Sequence, residues 1–142
     1  MKALVKRRER IVRVRRVQHL QAQAVVAQAE GRLASLETSS DRLQLLRESL
    51  AVAPGGLSGA AFVNAAEMAM RLESARAGLT DAIVGARAAV DKSAALRLEA
   101  RIRQESAERL GEKAARALEA YRERRAPGAV RRRTLGSEGK TA

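Results

Sequence analysis

The chain has 142 residues, of which 46% are apolar but only 1% aromatic, and it carries 28 Lys/Arg against 16 Asp/Glu and no cysteine. The missing cysteine excludes disulfides, thiolate zinc sites and a cysteine nucleophile. With no Trp, one Phe (Phe62) and one Tyr (Tyr121), a globular core built on aromatics is not expected. The Ala, Leu, Glu and Arg bias is that of long helices and coiled coils. No apolar run approaches the roughly 18 residues of a membrane span, and no h-region follows the charged start. The composition therefore predicts a soluble protein, cytosolic or held at a membrane surface.

Residues 1–16 hold eight basic residues, Lys2, Lys6, Arg7, Arg8, Arg10, Arg13, Arg15 and Arg16, against the single acid Glu9. They open a helix predicted over about 3–52. In its second half a 4-3 spacing reads Ala22, Val26, Ala29, Leu33, Leu36, Ser40, Leu43, Arg47 and Leu50, the pattern of a coiled-coil seam. Upstream the stripe is less clean. Leu4, Ile11 and Val14 lie beside Val5, Val12 and His19, and the phase drifts. The stretch 37–42 is weak helix, and Thr38 with Asp41 fits a capping box, which allows a kink or break there.

A turn is predicted over 53–58, where Pro54 cannot continue a helix and Gly55 and Gly56 can close one. Ser58 is placed to cap the next helix. That second helix should run over about 59–125. Its 3-4 series passes through Phe62, Leu72, Leu79, Ile83, Val90, Leu118 and Tyr121, with Ala, Ser, Gly, Gln or Arg between them. The Ala-rich seam buries little area, and Gly78, Gly85 and Gly111 each cost about 1 kcal/mol relative to Ala. The pairing is therefore expected to be marginal alone and firmer when a partner holds it. From Pro127 the sequence is aperiodic and reads as a disordered basic tail over 127–142.

A short link forces antiparallel helices. The predicted fold is all-α, a long antiparallel two-helix coiled-coil hairpin over 1–126. Counting outward from the turn places residue 52 opposite about 59 and residue 3 opposite about 108, with the second helix overhanging at the terminal end. The two basic ends then meet. Arg116, Arg122, Arg124 and Arg125 join the basic residues of the first helix in one positive tip.

Catalytic chemistry is not expected. His19, the only histidine, has no other His or Cys to share a metal, and it reads as a seam or boundary residue. Gly139-Lys140-Thr141 mimics the end of a phosphate loop, but Thr134 stands where that loop needs glycine. No cofactor is implied. The excess of Arg over Lys in the basic ends favours recognition of carboxylates or phosphates. Nucleic acid would supply phosphates, yet there are no aromatics to stack on bases and no helix-turn-helix or zinc spacing. A membrane surface would favour a bulky inserting face, which residues 1–20 lack. An acidic protein surface needs neither.

The series Leu4, Arg8, Ile11, Arg15-Arg16-Val17-Gln18 and Gln21-Ala22, followed by Ala29-Glu30 and Leu33, resembles the N-terminus of the FliJ family, the coiled-coil proteins of the flagellar type III export apparatus. The motif-like part covers residues 2–33; hairpin layout and charge distribution extend the likeness over most of the chain. The low aromatic content and Ala-rich second helix depart from that family and leave open the equivalent stalk of virulence-type secretion systems. The resemblance implies a non-enzymatic stalk, similar to that of rotary ATPases, whose terminal end enters the hexameric export ATPase. It also implies contacts with the export-gate membrane protein and with export chaperones. On that resemblance Lys6, Arg7, Arg8, Arg10, Arg13, Arg15, Arg16, Arg116, Arg122, Arg124 and Arg125 would face the ATPase ring. The opposite end, around Leu43–Phe62, would be left for gate or chaperone contacts.

Overall fold

A computed structural model describes residues 1–51 and 58–137, with side chains to Ala126. It contains two helices, α1 (Lys2–Ala51) and α2 (Gly59–Ser137), and no strand among the described residues. The fold is the all-α antiparallel coiled-coil hairpin that the heptads predict. The turn residues Pro54, Gly55 and Gly56 lie outside the described set. The cap at its far side is present. Ser58 Oγ accepts from the Ala61 backbone N–H at 3.3 Å, and the Phe62 N–H donates to the Ser58 carbonyl at 3.0 Å. These bonds satisfy donors that a helix start leaves without partners.

α1 is unbroken through 37–42. The Thr38 hydroxyl donates to the Ala34 carbonyl at 2.9 Å and Ser39 to Ser35 at 3.0 Å, so these hydroxyls bond back into their own helix rather than capping a new one. α2 has helical backbone past Pro127 to Ser137, beyond the end expected near 125. Pro127 removes one donor, and Ala129 and Arg131–Arg133 beyond it are good helix formers. The tail reading is otherwise beyond the described residues, since the side chains of 127–137 and all of 138–142 lie outside them.

The chain divides into a terminal unit, Met1–Gln21 with Leu98–Ala142, and a central unit, Ala22–Arg97. In the central unit the predicted seam is the buried face. Val26 is 4% exposed, Ala86 and Ser93 are also buried, and Ala29, Leu33, Leu36, Leu43, Leu50, Leu72, Leu79, Ile83 and Val90 are half-buried. Ser93 satisfies its hydroxyl on the Val90 carbonyl at 2.9 Å. Arg87 reaches Glu37 at 3.1 Å and Arg47 reaches Glu73 at 2.7 Å, which sets the antiparallel register.

That register corrects the one counted from the turn. α1 ends four residues after Arg47, whose partner Glu73 lies fourteen residues into α2. The first turns of α2 therefore have no α1 residue opposite them. Phe62, assigned to the seam, is 67% exposed for this reason, and Val63, Met68 and Met70 are exposed with it. Equal counting from the turn assumed a tight link, whereas Arg47–Glu73 and Glu37–Arg87 pair with α2 displaced.

Candidate functional site

In the terminal unit the heptad does not drift. Labelling positions a to g, with a and d at the seam, the half-buried residues of α1 in this unit are Val5 (a), Arg8 (d), Val12 (a), Arg15 (d) and His19 (a), with Ile11 (g) beside them. This series runs in phase with Ala22 and Val26. Leu4 and Val14, which suggested the drift, are 52% and 55% exposed. Across the seam α2 offers small residues. Ala107 is buried, and Gly111, Ala114 and Leu118 are half-buried. Small partners leave room for the long Arg8 and Arg15 side chains, whose aliphatic stems can lie along the seam. Tyr121, also assigned to the seam, is exposed, and its ring is covered on one face by the Arg125 guanidinium, 5.2 Å from the ring centre.

The register here places Arg16 against Glu108, with Nε 3.0 Å from Oε1. Met1 and Lys2 line one cavity with Leu118, Tyr121, Arg122 and Arg125. The start of α1 thus lies beside residues 118–125, and not opposite about 108 as the count from the turn gave. The Glu108 carboxyl is held below its ordinary value by hydrogen bonds, first from Gln104 and then from Arg16; partial burial opposes this.

Both groups of predicted basic residues fall in this unit. Lys6, Arg7, Arg10, Arg13, Arg16, Arg116, Arg122, Arg124 and Arg125 are exposed. Arg8 and Arg15 are not part of that surface, because they occupy d positions and are half-buried; Arg15 also donates to Gln18 at 2.9 Å. By sequence the terminal unit holds twenty basic and eight acidic residues, a net of +12. The central unit holds eight of each, a net of zero. The whole net charge of the protein therefore belongs to one unit.

The two flanks of the terminal seam differ. On the e side lies an open groove of about 570 Å³, lined by Val5, Val12, Arg13 and Arg16 and by Glu108, Gly111 and Glu112. Glu9 and Ala115 complete the lining, so three carboxylates accompany Arg13 and Arg16 there, and Arg16 pairs with Glu108. The g side carries Leu4, Ile11 and Leu110, and sequence reading missed it. The signal was present in the sequence, since counting from Val5 places these residues together on one flank.

Among the described residues no three His, Cys, Asp or Glu come together as a metal-binding group, and no helix is long and apolar enough to cross a membrane. Comparison with family models, with curated proteins and with solved structures returns no match.

Proposed function

We propose that this chain is a non-enzymatic stalk of a bacterial type III protein export apparatus, of the FliJ kind or its virulence-type equivalent. Its terminal unit binds the hexameric export ATPase, and the chain acts in the cytoplasm at the inner face of the membrane. The export-gate membrane protein and export chaperones are its further partners. One observation carries this reading. The net charge of +12 is confined to the unit holding the start of α1, while the central unit is neutral. A hairpin charged in one unit alone suits capture by an acidic surface, with electrostatic steering raising the association rate.

The test is co-sedimentation with the export ATPase, with ATP hydrolysis as a second readout, at low and moderate salt. Binding and stimulation are expected at low salt and should fail when Arg7, Arg10 and Arg13 are all changed to Glu. These three are exposed, so the change leaves the seam intact. Absence of binding at low salt, where such contacts are strongest, overturns the proposal. The same charge also suits a nucleic-acid-binding helical protein. That reading predicts DNA or RNA binding whose affinity falls steeply with salt. Its weakness is the single aromatic of the unit, Tyr121, already covered on one face by Arg125.

A further inference from the structure

The g side of the terminal unit combines apolar exposure with one sign of charge. Leu4 and Ile11 stand at g in α1 with Val14 at the adjoining c position, and Leu110 stands at g in α2. Three of the four are open to solvent, Leu110 at 46%, and Ile11 is half-buried. A g position lies across the seam from e, so this stripe is on the opposite flank from Arg16–Glu108. The charged residues at g and c around it are Arg7, Lys113 and Arg124, with Arg103 at its inner end. The one acid at these positions, Glu99, pairs with Arg103 at 3.5 Å. Arg7, Lys113 and Arg124 form no ion pair among the described residues.

An apolar stripe between two helices, edged by cations, complements a helix with the converse pattern. We infer that this flank binds an acidic amphipathic helix of a partner protein. The partner's apolar face seats on Leu4, Ile11, Val14 and Leu110, and its carboxylates meet Arg7, Lys113 and Arg124. A third helix laid along this flank extends coiled-coil packing already present, and its docking is the helix-in-groove mode of recognition. The inference deepens the proposed function, since it rests on the terminal unit being partner-facing, and it names the flank and the chemistry of the segment bound. A second copy of this chain does not fit the flank, because two terminal units of +12 repel.

The experiment uses the full chain and a synthetic helical peptide of about three heptads, with Leu at a and d and Glu at e and g. Two control peptides replace its Leu by Ser or its Glu by Lys, and vesicles of mixed phosphatidylcholine and phosphatidylglycerol form a separate arm. The Leu/Glu peptide should bind and both controls should not. Leu110→Ser and Val14→Ser should each weaken binding about tenfold, while Ala115→Ser on the opposite flank leaves it unchanged. Leu110 and Val14 are exposed and Ala115→Ser adds a single oxygen at a half-buried site, so circular dichroism should show the fold retained. Equal binding of the Ser-substituted peptide, or indifference to Leu110→Ser, reduces the site to charge alone and overturns the inference. Vesicle binding without peptide binding also overturns it, in favour of a lipid surface. Peptide binding together with no ATPase binding sinks the proposed function and leaves the flank assignment standing.

Discussion

Arg16 and Glu108, ninety-two residues apart, are joined by a 3.0 Å bond from Nε to Oε1, and Gln104 donates to the same carboxylate oxygen at 3.1 Å. The folded Glu108 carboxyl therefore titrates below its ordinary value. A group whose folded pKa is depressed stabilises fully above its unfolded pKa, about 4.3 for Glu, and loses that contribution as pH falls through the folded value. The Tm difference between wild type and Glu108→Gln should be largest near neutral pH and vanish on acidification. A carboxyl titration followed by NMR should also move part-way back towards the ordinary value in Arg16→Gln, because Gln104 still donates. No movement in that variant would show that the ion pair is not formed in solution.

The half-buried Arg8 and Arg15 lead to a second expectation. At d positions each occupies a place where an apolar side chain would bury more surface. Arg8→Leu and Arg15→Leu should each raise stability by about 1 kcal/mol in urea unfolding. Neither should weaken partner binding as much as charge reversal of the exposed Arg7. A loss of stability in both leucine variants would mean that the guanidinium groups themselves hold the seam.

These two residues also explain why the terminal half of α1 was hard to read. Periodicity finds a seam by its apolar residues, and here the seam is Val5, Arg8, Val12, Arg15, His19, with three of its five positions polar. Exposed Leu4 and Val14 competed with it. The central stripe from Ala22 to Leu50 and that of α2 from Ala65 to Leu118 were legible, since small and aliphatic residues fill most of their seam positions, interrupted at Arg47, Arg76, Arg97 and Gln104. The register was not legible, because it depends on how the link between the helices is shaped. Only long-range pairs such as Arg47–Glu73 and Arg16–Glu108 establish it. The basic surface was readable as a charge run, but its separation from the apolar g flank required the correct phase.

Burial and size part company at Val26 and Phe62. Val26 is the most buried residue of the core, and Val26→Ala should cost about 1–3 kcal/mol through lost burial and a residual cavity. Phe62→Ala removes a larger side chain but should change stability by less than about 0.5 kcal/mol, because Phe62 is already mostly in solvent. Urea denaturation of the two variants checks the order. A larger cost at Phe62 would show that the start of α2 is covered in solution.

Gly111 and Gly85 separate helix propensity from packing. Both lie inside α2, where Gly is about 1 kcal/mol less favourable than Ala. A Cβ at Gly85 would meet nothing within 4 Å, so Gly85→Ala should gain stability by propensity alone. A Cβ at Gly111 would stand 3.6 Å from Val12 Cγ2, an ordinary van der Waals contact, and would add apolar surface to the thin terminal seam. Gly111→Ala should therefore stabilise more than Gly85→Ala, and the excess should shrink when Val12 is also changed to Ala. A double-mutant cycle of Gly111 and Val12, read by urea unfolding, measures that excess directly. Destabilisation by Gly111→Ala would place the two helices closer at this point than the 3.6 Å contact allows.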